Sequence, residues 1–148
     1  KNIDPQDISF NYVPYKMDSE FEQNALAEML KMAEIKKLEV YFNGYKDERL
    51  QSFWIQTPRG KYTPDFLLLK REGNKKYSNS QYIKIDKALI VETKGEIYYN
   101  DEFRAKEKFI KEEFLKHNPH FNYHCFIDSG KNDFSRHLDT FKKILKEF

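Results

Sequence analysis

Tyr62-Thr63-Pro64-Asp65-Phe66-Leu67-Leu68-Leu69 and, further along, Leu89-Ile90-Val91-Glu92-Thr93-Lys94-Gly95 are the two stretches that decide how this chain folds. Each is an apolar run of strand length with an acidic residue in or beside it, and a charge in a buried strand is costly unless it has a partner or a task. Side chains alternate faces along a strand, so Glu92 and Lys94 project to one side while Val91 and Thr93 project to the other. If the run from Tyr62 to Lys70 pairs beside Lys87 to Lys94, Asp65 brings a second carboxylate to the same pocket, near the end of a sheet.

Two or three oxygen ligands on a rigid scaffold suit Mg2+ or Mn2+, which keep several waters and take further ligands from substrate phosphates. A metal held there would polarise a phosphoryl oxygen, lower the pKa of a coordinated water and steady the leaving oxygen. Lys94 would orient or deprotonate that water, or offset charge in the transition state. The plainer alternative is a pair of surface salt bridges at strand ends. Acid-x-lysine triplets arise without purpose in a chain that is 34% charged, and Glu34-Ile35-Lys36 is one. Context favours the metal site: Pro-Asp opens one apolar run, Glu-Thr-Lys-Gly ends another, and a hairpin-length segment joins them.

A third carboxylate comes from the first predicted helix, Asp18 to about Lys37. Glu22, Leu26, Met29 and Ala33 fall on one face by helical spacing, so Glu22 continues an apolar stripe, whereas Glu20, Asn24, Ala27 and Lys31 lie on a wetter face. Ser19-Glu20-Phe21-Glu22 also fits a capping box in which Glu22 reaches back to the backbone of Ser19. Both roles for Glu22 stand.

Asp18-Ser19-Glu20-Phe21-Glu22, Thr57-Pro58-Arg59-Gly60-Lys61-Tyr62-Thr63-Pro64-Asp65-Phe66 and Val91-Glu92-Thr93-Lys94-Gly95 resemble the signature blocks of the PD-(D/E)xK nuclease superfamily. More narrowly, they resemble the C-terminal endonuclease domain of type III restriction enzyme restriction subunits and related helicase-nucleases, over about Asp18 to Asp128. Many type III relatives have Asn and Trp flanking the Pro-Asp, where this chain has Thr63 and Phe66. The resemblance implies an α/β fold with a restriction-endonuclease-like core, a central mixed β-sheet flanked by helices in the order α-β-β-β-α-β-α. It implies Mg2+-dependent cleavage of double-stranded DNA leaving a 5′-phosphate, with Mn2+ able to substitute. Asp65 and Glu92 would be metal ligands, the main-chain carbonyl of Thr93 a further one, Lys94 the catalytic lysine and Glu22 the accessory acid. Partners would be a modification methyltransferase subunit, which reads the DNA sequence, and a helicase or translocase region preceding this one. The expectation that the chain is a piece of a longer polypeptide rests on that likeness and on its starting at Lys1.

Length and composition fit one domain over residues 1–148, with thirteen Phe and ten Tyr to fill a core. No stretch is apolar enough to span a membrane and no basic-then-apolar leader is present, so the chain reads as soluble and not exported. The lone Cys125 fits a reducing cytoplasm and reads as a small core residue. No phosphate-cradling glycine loop appears, so no ATP site is expected in this chain. His117, His120 and His124 lack the paired spacing of a helical zinc site and read as a solvated cluster.

Net charge is only +2, but residues 59 to 94 hold nine Lys or Arg against four acids, a local +5 that leaves −3 elsewhere. Such a field would draw DNA and make binding fall with salt. Arg59 and Lys61, close to Asp65 in sequence, are the expected DNA contacts, mainly to backbone. Tyr98 and Tyr99 border the same region. Residues 1–17 read as an irregular lead-in, Leu38 to Phe42 and Gln51 to Thr57 as strands around a turn-rich Asn43 to Asp47, and Arg71 to Asp86 as a polar hairpin-like excursion. Asp101 to Asn118 reads as helix, Tyr123 to Ile127 as a strand and Phe134 to Phe148 as a last helix. Two other readings remain: a Holliday-junction resolvase or transposon-type nuclease of the same superfamily, and a catalytically silent DNA-binding or subunit-docking module.

Overall fold

The structure is a computed structural model and describes residues 20–43, 53–74, 83–128 and 134–148. The lead-in, the capping partner Ser19, most of the Asn43 to Asp47 turn, and Lys75 and Lys76 lie outside these residues.

The first helix, α1 (Glu20–Lys36), is followed by β1 (Glu39–Phe42), β2 (Ile55–Thr57), β3 (Gly60–Tyr62), β4 (Phe66–Arg71) and β5 (Ile85–Gly95). Then come α2 (Asp101–Phe109), which runs on through a π turn (Ile110–Phe114) to a final turn at Leu115–His117, β6 (Phe121–Asp128), and α3 (Leu138–Glu147). The main sheet has the order β1-β4-β5-β6, antiparallel except for the β5/β6 pair, which is parallel; β2 and β3 form a separate hairpin. This is the mixed sheet flanked by helices expected of the chain, with β2–β3 added beside it.

β5 is the central strand, and residues 88–93 of it are all buried. That explains its continuous apolar run: a strand covered on both faces shows no alternation. Leu89 and Val91 pack with Phe66, Leu68, Met29, Ala33 and Phe141 in a core beneath α1 and α3. Ile90 packs with Tyr62, Ile55, Phe103 and Ile110 in a second core beneath α2 and the hairpin. The π turn lets Phe109, Phe114 and Leu115 join Ile110 against that core, which accounts for the broken stripe in the sequence.

The run from Tyr62 to Lys70 is not one strand. It breaks at Thr63-Pro64-Asp65 into β3 and β4, because proline has no N–H to give to a ladder. Gly60, at φ 111, closes the β2–β3 turn in a region that side-chain-bearing residues rarely adopt, and the Thr57 hydroxyl donates to its carbonyl at 2.6 Å. Asn100 caps α2 by accepting from the Phe103 N–H at 3.0 Å. The base of the hairpin-like excursion is closed by the Glu72 N–H on the Lys84 carbonyl at 3.0 Å. No helix among the described residues is long and apolar enough to cross a membrane.

Arg71 departs from the picture of a solvated basic segment. It is 6% exposed and its Nε lies 2.7 Å from Oε2 of Glu39, itself 1% exposed, while its Nη1 donates to the Ile83 carbonyl at 2.6 Å. Arg71 therefore spends its charge inside the protein and contributes little to a field around the site. Removing one partner of a buried pair strands the other, so Arg71→Ala is predicted to destabilise the chain by about 3–5 kcal/mol in urea unfolding, far beyond an exposed Lys84→Ala.

Candidate active site

Asp65 is the last residue before β4, and the register Phe66↔Val91 makes its next neighbour on β5 Glu92. The Thr93 N–H and hydroxyl both donate to Oδ2 of Asp65, at 2.9 and 2.8 Å. Glu92, 2% exposed, shares the face of β5 that carries Ile90, toward α2 and the hairpin. Its Oε2 accepts from the Tyr62 hydroxyl at 2.7 Å, and its Oε1 lies 3.6 Å from Nζ of Lys94. Lys94 is partly exposed and its Nζ lies 4.6 Å from the centroid of the Phe103 ring on α2. Asp65, Glu92 and Lys94 are thus brought together at one end of the β4/β5 pair.

The electrostatics follow from burial. The Glu92 carboxyl is held well above its ordinary range by desolvation first and by the charge of Asp65 second, against the opposing pull of Lys94 and Tyr62. Asp65 as a residue keeps some exposure, yet burial of its carboxyl also raises its pKa, opposed chiefly by the two Thr93 hydrogen bonds. The two acids face each other across the β4/β5 pair, and each bears on the protonation of the other. Such a pair of acids cannot easily carry both charges without a cation. The donors are oxygens, and Thr93 takes only one of the two Asp65 oxygens, so the set suits a hard divalent ion such as Mg2+ or Mn2+ that keeps waters of its own.

Glu22 is buried on α1, which packs on the opposite face of the sheet from Glu92 and Lys94. Among the described residues no group of three or more His, Cys, Asp or Glu gathers as a metal site. The structure joins Asp65 to Glu92, and Glu22 sits at the start of α1 among the residues of the first core. Arg59 is exposed at the hairpin turn and Lys61 half-buried on β3, with its Nζ 4.4 Å from the centroid of the Trp54 ring. His117 and His120 are exposed and His124 half-buried against Phe126. Burial, with Glu92 and Glu107 nearby, pushes the Cys125 thiol up to about 12, so it is no nucleophile at neutral pH.

Three residues around the site were not singled out by sequence reasoning. Asn43, 1% exposed, donates from its side chain to the carbonyls of Pro64 and Phe53 and accepts from the Phe53 N–H, while its own N–H bonds the Asp65 carbonyl at 2.7 Å. It fixes the backbone that presents Asp65. Tyr62 fixes the Glu92 carboxyl. Glu107 on α2 accepts from the hydroxyls of Tyr99 and, at 2.7 Å, Tyr123. Only Glu107 left a sequence signal, as an acid in the helical stripe of Phe103, Ile110 and Phe114.

The raised carboxyls make a prediction about pH. Between the ordinary glutamate value of 4.5 and the higher folded value, the folded chain holds protons that the unfolded chain has released, so stability falls as pH rises through that window. Without divalent metal, the melting temperature of the wild type is predicted to drop relative to Glu92→Gln as the pH rises above the ordinary glutamate value. Thermal melts in chelator check this, and a pH-independent gap would mean that Glu92 is not a desolvated acid.

No curated protein and no solved structure matches the chain. A family model described as an endonuclease domain matches residues 7–129, a span that includes Asp65, Glu92 and Lys94 and the sheet that carries them. With two acids and a lysine converging at one end of a mixed sheet, this chain belongs to the endonuclease-domain family.

Proposed function

We propose that the chain is a divalent-metal-dependent DNA endonuclease of PD-(D/E)xK type that hydrolyses phosphodiester bonds to leave a 5′-phosphate, and that it serves as the cleavage domain of a type III restriction system in the cytoplasm. The observation that carries this reading is the convergence of Asp65, Glu92 and Lys94 at the end of β4 and β5. Asp65, Glu92 and the Thr93 carbonyl would hold Mg2+ or Mn2+. The ion would supply a water of lowered pKa and polarise the phosphoryl oxygen.

The protein's own part is positioning. Thr93 locks one oxygen of Asp65, Tyr62 locks one oxygen of Glu92, and Asn43 locks the backbone before β4. Lys94, close to Glu92 and packed on Phe103, directs its ammonium toward the attacking water or toward charge developing on the phosphoryl group. Water oxygen bonds to phosphorus as the bond to the 3′ oxygen breaks; the attacking water gives up a proton to solvent, and the leaving 3′ oxygen takes one from solvent. Arg59 and Lys61 hold the DNA backbone from the hairpin. Glu22, buried on α1, is the accessory acid that the family likeness suggests. In this setting a modification methyltransferase subunit reads the sequence and a translocase delivers the DNA.

Nicking of supercoiled plasmid with Mn2+ tests the proposal. Lys94→Ala is predicted to lower the rate by about 10²–10⁴-fold while Mn2+ affinity stays near that of the wild type. Metal-independent nicking, or full activity in Lys94→Ala, would overturn the assignment.

A further inference from the structure

Among the described residues, Ile97 at 82% exposure and Tyr98 at 64% stand out as large apolar side chains open to solvent, and they follow directly on the strand that carries Glu92 and Lys94. The 3-10 turn bearing them, Glu96–Tyr98, is braced at both ends. On one side the Tyr98 ring covers Gly95 so closely that a Cβ there would lie 3.3 Å from its Cδ2. On the other side Tyr99 turns inward. Its N–H bonds the Glu96 carbonyl at 3.2 Å, its ring packs on Phe103 at 5.5 Å between centroids, and its hydroxyl donates to the buried Glu107.

One exposed apolar side chain is ordinary, but Ile97 and Tyr98 are adjacent, on a braced turn, and follow directly on the strand that carries Lys94. The reach from Lys94 to Ile97 is three residues, at most about 10 Å of chain, or roughly three base steps of DNA. Proteins that unstack DNA insert apolar side chains such as isoleucine between neighbouring bases, and aromatic rings give the freed bases a surface on which to stack. The hairpin that supplies Tyr62 presents a matching element: Trp54 is 51% exposed beneath the Lys61 ammonium, a cation–aromatic pair suited to a base and its phosphate.

Resting on the nuclease reading, we infer that the Ile97–Tyr98 turn is a wedge that opens a base step beside the scissile phosphate, so that the substrate class is duplex DNA locally unstacked at the cut. A duplex already open there spares the enzyme the cost of opening it.

The test measures binding of the full 148-residue chain to two oligonucleotide duplexes by fluorescence anisotropy, with Ca2+ in place of Mg2+ to leave the DNA uncut. One duplex is fully paired and the other carries a two-nucleotide mismatch bubble. The wild type is expected to bind the bubble roughly tenfold more tightly. The Ile97→Ala/Tyr98→Ala double variant, with an unchanged melting temperature, is expected to bind both alike. Equal binding of the two DNAs by the wild type, or an undiminished preference in the double variant, would overturn the wedge and leave the patch to protein docking. Failure of the wild type to bind either DNA would remove the nuclease reading as well, a result distinct from binding without discrimination.

Discussion

The placing of two desolvated carboxyl groups, Asp65 and Glu92, across one strand pair is the constraint around which the rest of the site is arranged. Left alone, such a pair favours protonation or unfolding. The surrounding groups each offset part of that cost. Thr93 gives two hydrogen bonds to Asp65, Tyr62 gives one to Glu92, and Lys94 adds a positive charge on the open side. These groups make the arrangement tolerable without neutralising it, and on the proposed reading a divalent cation would supply the remaining charge.

Sheet geometry decides what each side chain can do. Because β5 is covered on both faces, its even-numbered residues from Ile90 to Lys94 point into the layer of α2 and the hairpin, and its odd-numbered ones support the core under α1 and α3. The break at Pro64 is what frees Asp65 from the ladder and turns it toward Glu92, and Asn43 holds that break in place. The hairpin carries the Trp54–Lys61 pair, and the Ile97–Tyr98 turn follows directly on the strand that carries Glu92 and Lys94.

The elements read most directly from sequence were those whose pattern is local. The apolar run ending in Glu-Thr-Lys-Gly is β5, the Glu22, Leu26, Met29, Ala33 stripe is the buried face of α1, and the helix from Asp101 ends where Pro119 requires. The pairing of β4 with β5, and with it the meeting of Asp65 and Glu92, was also readable, because two apolar runs joined by a polar excursion have few other ways to bury themselves. Asn43 was not readable, since a buried asparagine beside a glycine looks like a turn residue until its partners Phe53 and Pro64 are known. The burial of Arg71 was hidden for the same reason: its partner Glu39 lies far off in sequence. Glu22 lies on the buried face that the helical stripe identified, and a stripe by itself does not say which role a buried acid takes.

The most direct test of the central claim is a Mn2+ titration of the wild type, Asp65→Asn and Glu92→Gln, followed by the electron paramagnetic resonance signal of free Mn2+. If the two carboxyls form the cation site, the wild type binds one ion per chain and either substitution abolishes that binding. A site that keeps its affinity in both variants would contradict the account, and with it the reason given for burying two acids side by side.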